Sequence, residues 1–173
     1  GTVTANGVLL SECNYHKIGI LGCYPKEVKV SGPGLEGGCR VGEALNIAVD
    51  IANAGTGNLH ITIDGPQGLG ATSTFDDQGG AVSLNLIFHK AGIYKMAIVY
   101  GDQEVKGSPH CIRAWDPSLV TAYGSGVTGI GTSVGLPAEV FVDLTKSGIG
   151  LLEISVKGPL GETRALEVLL TET

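Results

Sequence analysis

The 173-residue chain carries 28 glycines and 7 prolines, is 43% hydrophobic and has a formal net charge of -6. Apolar runs cut short by so many turn formers describe an all-β chain, long enough for one ~100-residue domain and a substantial part of another. Lys and Arg form no cluster, no basic amphipathic helix is present, and no apolar stretch nears the ~20 residues of a membrane span, so nucleic acid and direct membrane insertion are not expected.

Residues 1–25 align with nothing later in the chain. They read as the tail of a preceding domain, an insertion or an ordered extra strand; the apolar stretch VLLSECNYHKIGIL at 8–21 suggests a segment that covers a groove or shields the second half of the chain. Strand signals follow in order. Val28–Ser31 is a short opener and LNIAVDI at Leu45–Ile51 alternates cleanly. After a turn at Ala54–Gly57, Leu59, Ile61 and Ile63 face one way and His60, Thr62 and Asp64 the other, as a half-buried strand requires. Gly65–Pro66 ends it. Ala71–Phe75, Val82–Phe88, Ile93–Tyr100 and Val105–Ala114 complete seven strands, with Tyr94 placed as a corner tyrosine of a sandwich.

A repeat organises the rest. Val41–Gly68 aligns with Val134–Gly161 at an offset of 93 residues, with identity at Val41, Gly42, Val49, Asp50, Gly55, Gly57, Leu59, Ile61, Gly65, Pro66 and Gly68. That period suits a whole β-sandwich domain and is too long for a solenoid unit. Asp116–Ser118 is the linker, stiffened by Pro117. The second copy is expected to supply four strands, at Leu119–Tyr123, Ala138–Leu144, Leu151–Val156 and Thr163–Leu169, leaving Val140, Val142, Leu152 and Ile154 without a facing sheet.

The motifs VKVSGPGLEGGCRVGEA, AGTGNLHITIDGP at Ala54–Pro66, Asp76–Asp77, Gly92–Gly101 and Gly107–Pro109 resemble a filamin repeat, and the Asp116–Ser118 linker resembles the passage into the next. The sequence departs from that pattern at Asp77–Val82 and in ETRALEVLLTET after Gly161. The resemblance implies an immunoglobulin-like β-sandwich, one complete copy at 26–115, a linker at 116–118 and the first half of a second copy at 119–173. It implies a non-enzymatic scaffold fragment of an actin-crosslinking protein, cytoplasmic and cytoskeletal, tied to actin through the parent chain. Its partners would be the cytoplasmic tails of receptors and signalling or adaptor proteins, bound by strand addition. The acceptor groove, carried over from the family, lies between the third and fourth strands: Leu59, His60, Ile61, Thr62 and Ile63 opposite Ala71, Thr72, Ser73, Thr74 and Phe75. In the second copy, Leu151–Val156 would face Thr163–Leu169.

Other motifs read more plainly as structure. GPGLEG at 32–37 and GSGVTG at 124–129 match GxGxxG, but no strand-to-helix context follows and both fall at matching places in the repeat, so connecting loops are expected rather than a dinucleotide site. His16, His60, His89 and His110 lack metal-ligand spacing and are expected at the surface. Asp76 and Asp77 read as turn residues. Trp115 suits the boundary between copies. Cys13, Cys23, Cys39 and Cys111 show no CxxC and read as reduced thiols. No catalytic set, metal or cofactor is expected. The alternative, an extracellular immunoglobulin-like adhesion module, would want paired cysteines or a glycosylation acceptor, and no N-x-[ST] occurs.

Overall fold

The computed structural model describes residues 7–16, 22–76, 79–148 and 150–166. Its strands, in chain order, are β1 (Gly7–Tyr15), β2 (Lys29–Ser31), β3 (Cys39–Arg40), β4 (Ala44–Asp50), β5 (Gly57–Asp64), β6 (Leu69–Asp76), β7 (Ala81–Phe88), β8 (Gly92–Tyr100), β9 (Gln103–Glu104) and β10 (His110–Trp115). Strands β2, β4, β7 and β6 form one sheet in that order. The other runs β1-β5-β8-β10-β3, with β9 hairpinned onto β8. The two sheets make an immunoglobulin-like β-sandwich.

Alternation builds the core. On β4, Leu45, Ile47 and Val49 are buried while their neighbours face solvent, and β5, β7 and β8 repeat the pattern. Leu59, Ile61, Leu84, Leu86, Met96 and Ile98 interleave between the sheets, together with Phe88, whose ring lies 4.4 Å from that of Tyr94. The Tyr94 hydroxyl donates to the Lys90 carbonyl oxygen at 2.8 Å, as a tyrosine corner does. The aromatic ring leaves no space at the end of β5: a Cβ on Gly65 would stand 2.5 Å from Tyr94 Cδ1, so only glycine fits there.

The last strand begins at His110, five residues later than the alternation from Val105 predicts. Pro109 has no N–H to give a ladder, and the Ile98 amide donates instead to the Ser108 hydroxyl at 2.9 Å. His110 itself corrects the surface expectation. It is half-buried, its Nε2 has no partner, and burial lowers its pKa from the usual imidazole range.

Beyond β10, β11 (Thr121–Tyr123) pairs antiparallel with β12 (Phe141–Asp143), and β13 (Ser155–Lys157) with β14 (Thr163–Ala165). Tyr123 and Phe141 stack at 5.2 Å. These ribbons are shorter than the sequence predicts, because nothing among the described residues presses on their apolar side. Val140 is 45% exposed where its repeat equivalent Ile47 is 2%, and Val156 is 50% exposed where Ile63 is 2%. The end of the fourth expected strand, at 167–169, lies outside the described residues. Each GxGxxG segment folds into a single helical turn, α1 (Gly34–Gly37) and α2 (Ser125–Thr128), where loops without helix are expected.

The junction is tied by specific contacts. The Asp116 amide donates to Ser147 O at 2.7 Å, and its carboxylate accepts from the Ser118 amide and hydroxyl at 3.0 and 2.6 Å. The Trp115 ring packs close to both Gly38 and Gly150, where an added Cβ would meet it at 3.1 Å in each case.

Candidate functional site

Sheet edges are places where a chain can add a strand, because their N–H and C=O groups have no ladder partner. Here β6 ends one sheet of the sandwich, and β5 would end the other but for β1. β1 pairs antiparallel with the whole of β5, from Tyr15 opposite Gly57 to Gly7 opposite Asp64, with a bulge between Leu9 and Ser11. β1 therefore converts the edge strand β5 into an interior strand.

From Ser11 onward β1 alternates as an inserted strand must. Ser11 and Cys13 are half-buried and Tyr15 is 3% exposed, while Glu12 and Asn14 face solvent. The Tyr15 ring meets Phe75 of β6 edge-on, with centroids 6.1 Å apart and planes at 84°. On the outer face Glu12 stands 4.0 Å from His60, both substantially exposed, a geometry that contributes little to stability.

Register sorts the ten expected groove residues into four groups. Leu59, Ile61 and Ile63 are core residues, so β5 offers the groove its backbone rather than these side chains. His60 and Thr62 lie on the opposite, outer face of that sheet, half-exposed. Ala71, Ser73 and Phe75 pair with Leu86, Leu84 and Val82, whose side chains enter the core, and so share the inner face of their sheet. Thr72 and Thr74 pair with Asn85 and Ser83 and belong to the outside of the four-stranded sheet. There they help line a shallow uncharged concavity of about 360 Å³ with Ser31, Asn46, Ala48, Ser83 and Asn85.

Two participants carry no family motif: Tyr15 and Gly80. The alternation Ser11, Cys13, Tyr15 is the one sequence signal that points to the first.

Burial pushes the Cys13 thiol up. Tyr100, fully buried beneath, is pushed up to about 12, first by burial and then by Cys23, Tyr15 and Cys13 around it. Its hydroxyl donates to Gly55 O at 2.7 Å. Burial also raises Cys23 and Cys39, with Asp102 and Glu43 adding to the effect. The four thiols are unpaired in the structure. Among the described residues, no three His, Cys, Asp or Glu side chains are grouped to hold a metal ion, and no helix is long and apolar enough to cross a membrane.

Residues 22–110 match the family model for the Filamin/ABP280 repeat. Filamin-C of Mus musculus is 35% identical over 150 residues, which is 85% of this chain and 5% of that protein. Filamin-A of Drosophila melanogaster is 29% identical over 143 residues, 81% of this chain and 6% of that protein. A solved filamin domain of Lin-41 superposes with a TM-score of 0.42 and 17% identity, covering 54% of this chain and 96% of that one. The chain thus spans about a twentieth of the length of the curated relatives it matches. By the family model and by identity over most of its length, this chain belongs to the filamin family.

Proposed function

We propose that this chain is part of a non-enzymatic, filamin-like scaffold whose complete sandwich binds extended partner peptides by strand addition to β5, and that β1 occupies the same acceptor in cis. The observation that supports this reading most directly is the pairing of β1 along all eight residues of β5, with Tyr15 packed against β6. Main-chain bonds give such an acceptor its affinity, and the alternate side chains facing Ala71, Ser73 and Phe75 give it selectivity.

On this reading a partner competes with a tethered strand. Covalent attachment raises the effective concentration of such a strand, so a peptide with micromolar intrinsic affinity binds the closed chain more weakly than the open one. Partners of the expected kind are cytoplasmic tails of receptors and signalling or adaptor proteins, with actin reached through the parent chain and the cytoplasm and cytoskeleton as the setting. The division into a sandwich at 26–115, a junction at 116–118 and a second, partial repeat at 119–173 belongs to the same proposal.

The test is a titration of the full chain with receptor-tail peptides, read at the backbone amides of Leu59–Ile63 and Ala71–Phe75. A double Glu12→Pro/Cys13→Pro chain removes the amide donors of adjacent β1 residues and should bind at least about tenfold tighter than the unmodified chain. Amides that stay unmoved in both chains would sink the reading.

A further inference from the structure

The groove has two unlike ends. At the Gly57 end the Tyr15 ring sits in a closed notch, walled by Phe75 and floored by backbone. A Cβ added to Gly80 would lie 2.8 Å from both Cζ and the hydroxyl oxygen of Tyr15, and 2.9 Å from the Ala52 Cα. Gly80 also holds φ at +66°, so the floor depends on a glycine for its conformation as well as its space. At the Ile63 end, Ala71 and Ser73 lie on the inner face of their sheet and stay exposed although β1 lies alongside.

We propose that this notch is the groove's specificity determinant, and that it selects strands antiparallel to β5 with the pattern small-x-small-x-aromatic, ending in unphosphorylated Tyr or Phe, as in Ser11-x-Cys13-x-Tyr15. The inference rests on the reading of the groove as a partner site. Ladder bonds are blind to sequence, so discrimination falls to side chains that enter the groove. Among the described β1 side chains, at Ser11–Tyr15, Tyr15 is the one with a fitted cavity: large buried area, an edge-to-face partner and a glycine floor. A phosphate on the ring would be driven into the Ala52–Gly80 backbone. It would bring about two negative charges into a site where the tyrosine is only 3% exposed.

The test uses the full chain with its own strand weakened, either Tyr15→Ala or the double proline variant, whichever retains amide protection in β4, β7 and β8. Four fluorescent peptides of residues 7–15 are added in trans: unmodified, Tyr→Phe, Tyr→Ala and phosphotyrosine. The unmodified and Phe peptides should bind within about threefold of each other, and the Ala and phosphorylated peptides at least about tenfold more weakly, in line with the loss of a packed aromatic anchor. Equal binding of all four, with shifts at Leu59–Ile63, would overturn the notch and leave the groove reading standing. Failure of all four to bind or to shift those amides would overturn both. A Phe75→Ala host supplies the control on location: preference for Tyr over Ala should fall below about threefold. If it stays tenfold, the aromatic residue is read elsewhere and the proposal is wrong.

Discussion

The Tyr100 hydroxyl donates to the Gly55 carbonyl oxygen at 2.7 Å, joining the end of β8 to the turn that opens β5 across 45 positions of sequence. The bond is buried, so neither partner has water to fall back on. Tyr100→Phe leaves the carbonyl unsatisfied and should cost about 1–3 kcal/mol in urea unfolding, with the sandwich retained.

The same residue sets an alkaline limit. An unfolded tyrosine ionises near pH 10, whereas Tyr100 in the fold holds its proton to about 12. Between those values the unfolded chain binds fewer protons than the folded one, so stability falls as pH rises from about 10 toward 12. Below that window the contribution is fully present. Unfolding curves at pH 9, 10 and 11 should show a steeper decline for the unmodified chain than for Tyr100→Phe; identical slopes would contradict the assignment.

Ile61 and Ile154, aligned at the 93-residue offset, should respond differently to truncation. Ile61 is fully buried between the sheets and Ile61→Ala should cost about 2–5 kcal/mol. Its counterpart Ile154 is half-exposed, and Ile154→Ala should cost under about 1 kcal/mol. Urea midpoints of the two variants, compared at equal slope, decide the matter.

Thiol accessibility reports on β1. Cys111 is exposed and should react first with a maleimide, and buried Cys39 last. Cys13 is half-buried with its thiol pushed up, which slows it while β1 is docked. A groove-binding peptide that displaces β1 should speed Cys13 labelling several-fold and leave Cys111 unchanged, as mass spectrometry of tryptic fragments would show.

Glu12→Gln should matter little. The 4.0 Å contact with His60 is solvent-exposed on both sides, so the exchange protection of β1 should change by no more than about twofold.

Strands β4, β5, β7 and β8 follow from the sequence because their side chains alternate against one shared core, so that Leu45–Ile51 or Leu59–Asp64 can be recognised without a partner in view. The two-residue strands β3 and β9 are too short to show any alternation. β1 is different. Its Val8-Leu9-Leu10 run has no alternation, and its strand conformation comes from the unpaired backbone of β5, a tertiary cause that local pattern does not carry. Thr72 and Ser73 make the same point at finer grain. Both are small and polar, and only the register of β6 on β7 sends one outside the sandwich and the other to the inner face of the sheet. The ribbons beyond β10 shrink to three residues a strand for the converse reason: the alternation is present, but no facing sheet among the described residues rewards it.

The bulge between Leu9 and Ser11 has its own effect on the molecule's solubility. By taking the place beside β5, β1 becomes the outermost strand of its sheet and inherits the template for further pairing that β5 would otherwise present. An extra residue interrupts that template midway and adds twist, and solvent-facing Glu12 sets a charge beside the interruption. A neighbouring molecule finds no long flat rim on which to grow, so the strand that fills the groove is built to discourage fibre-like stacking at its own free side.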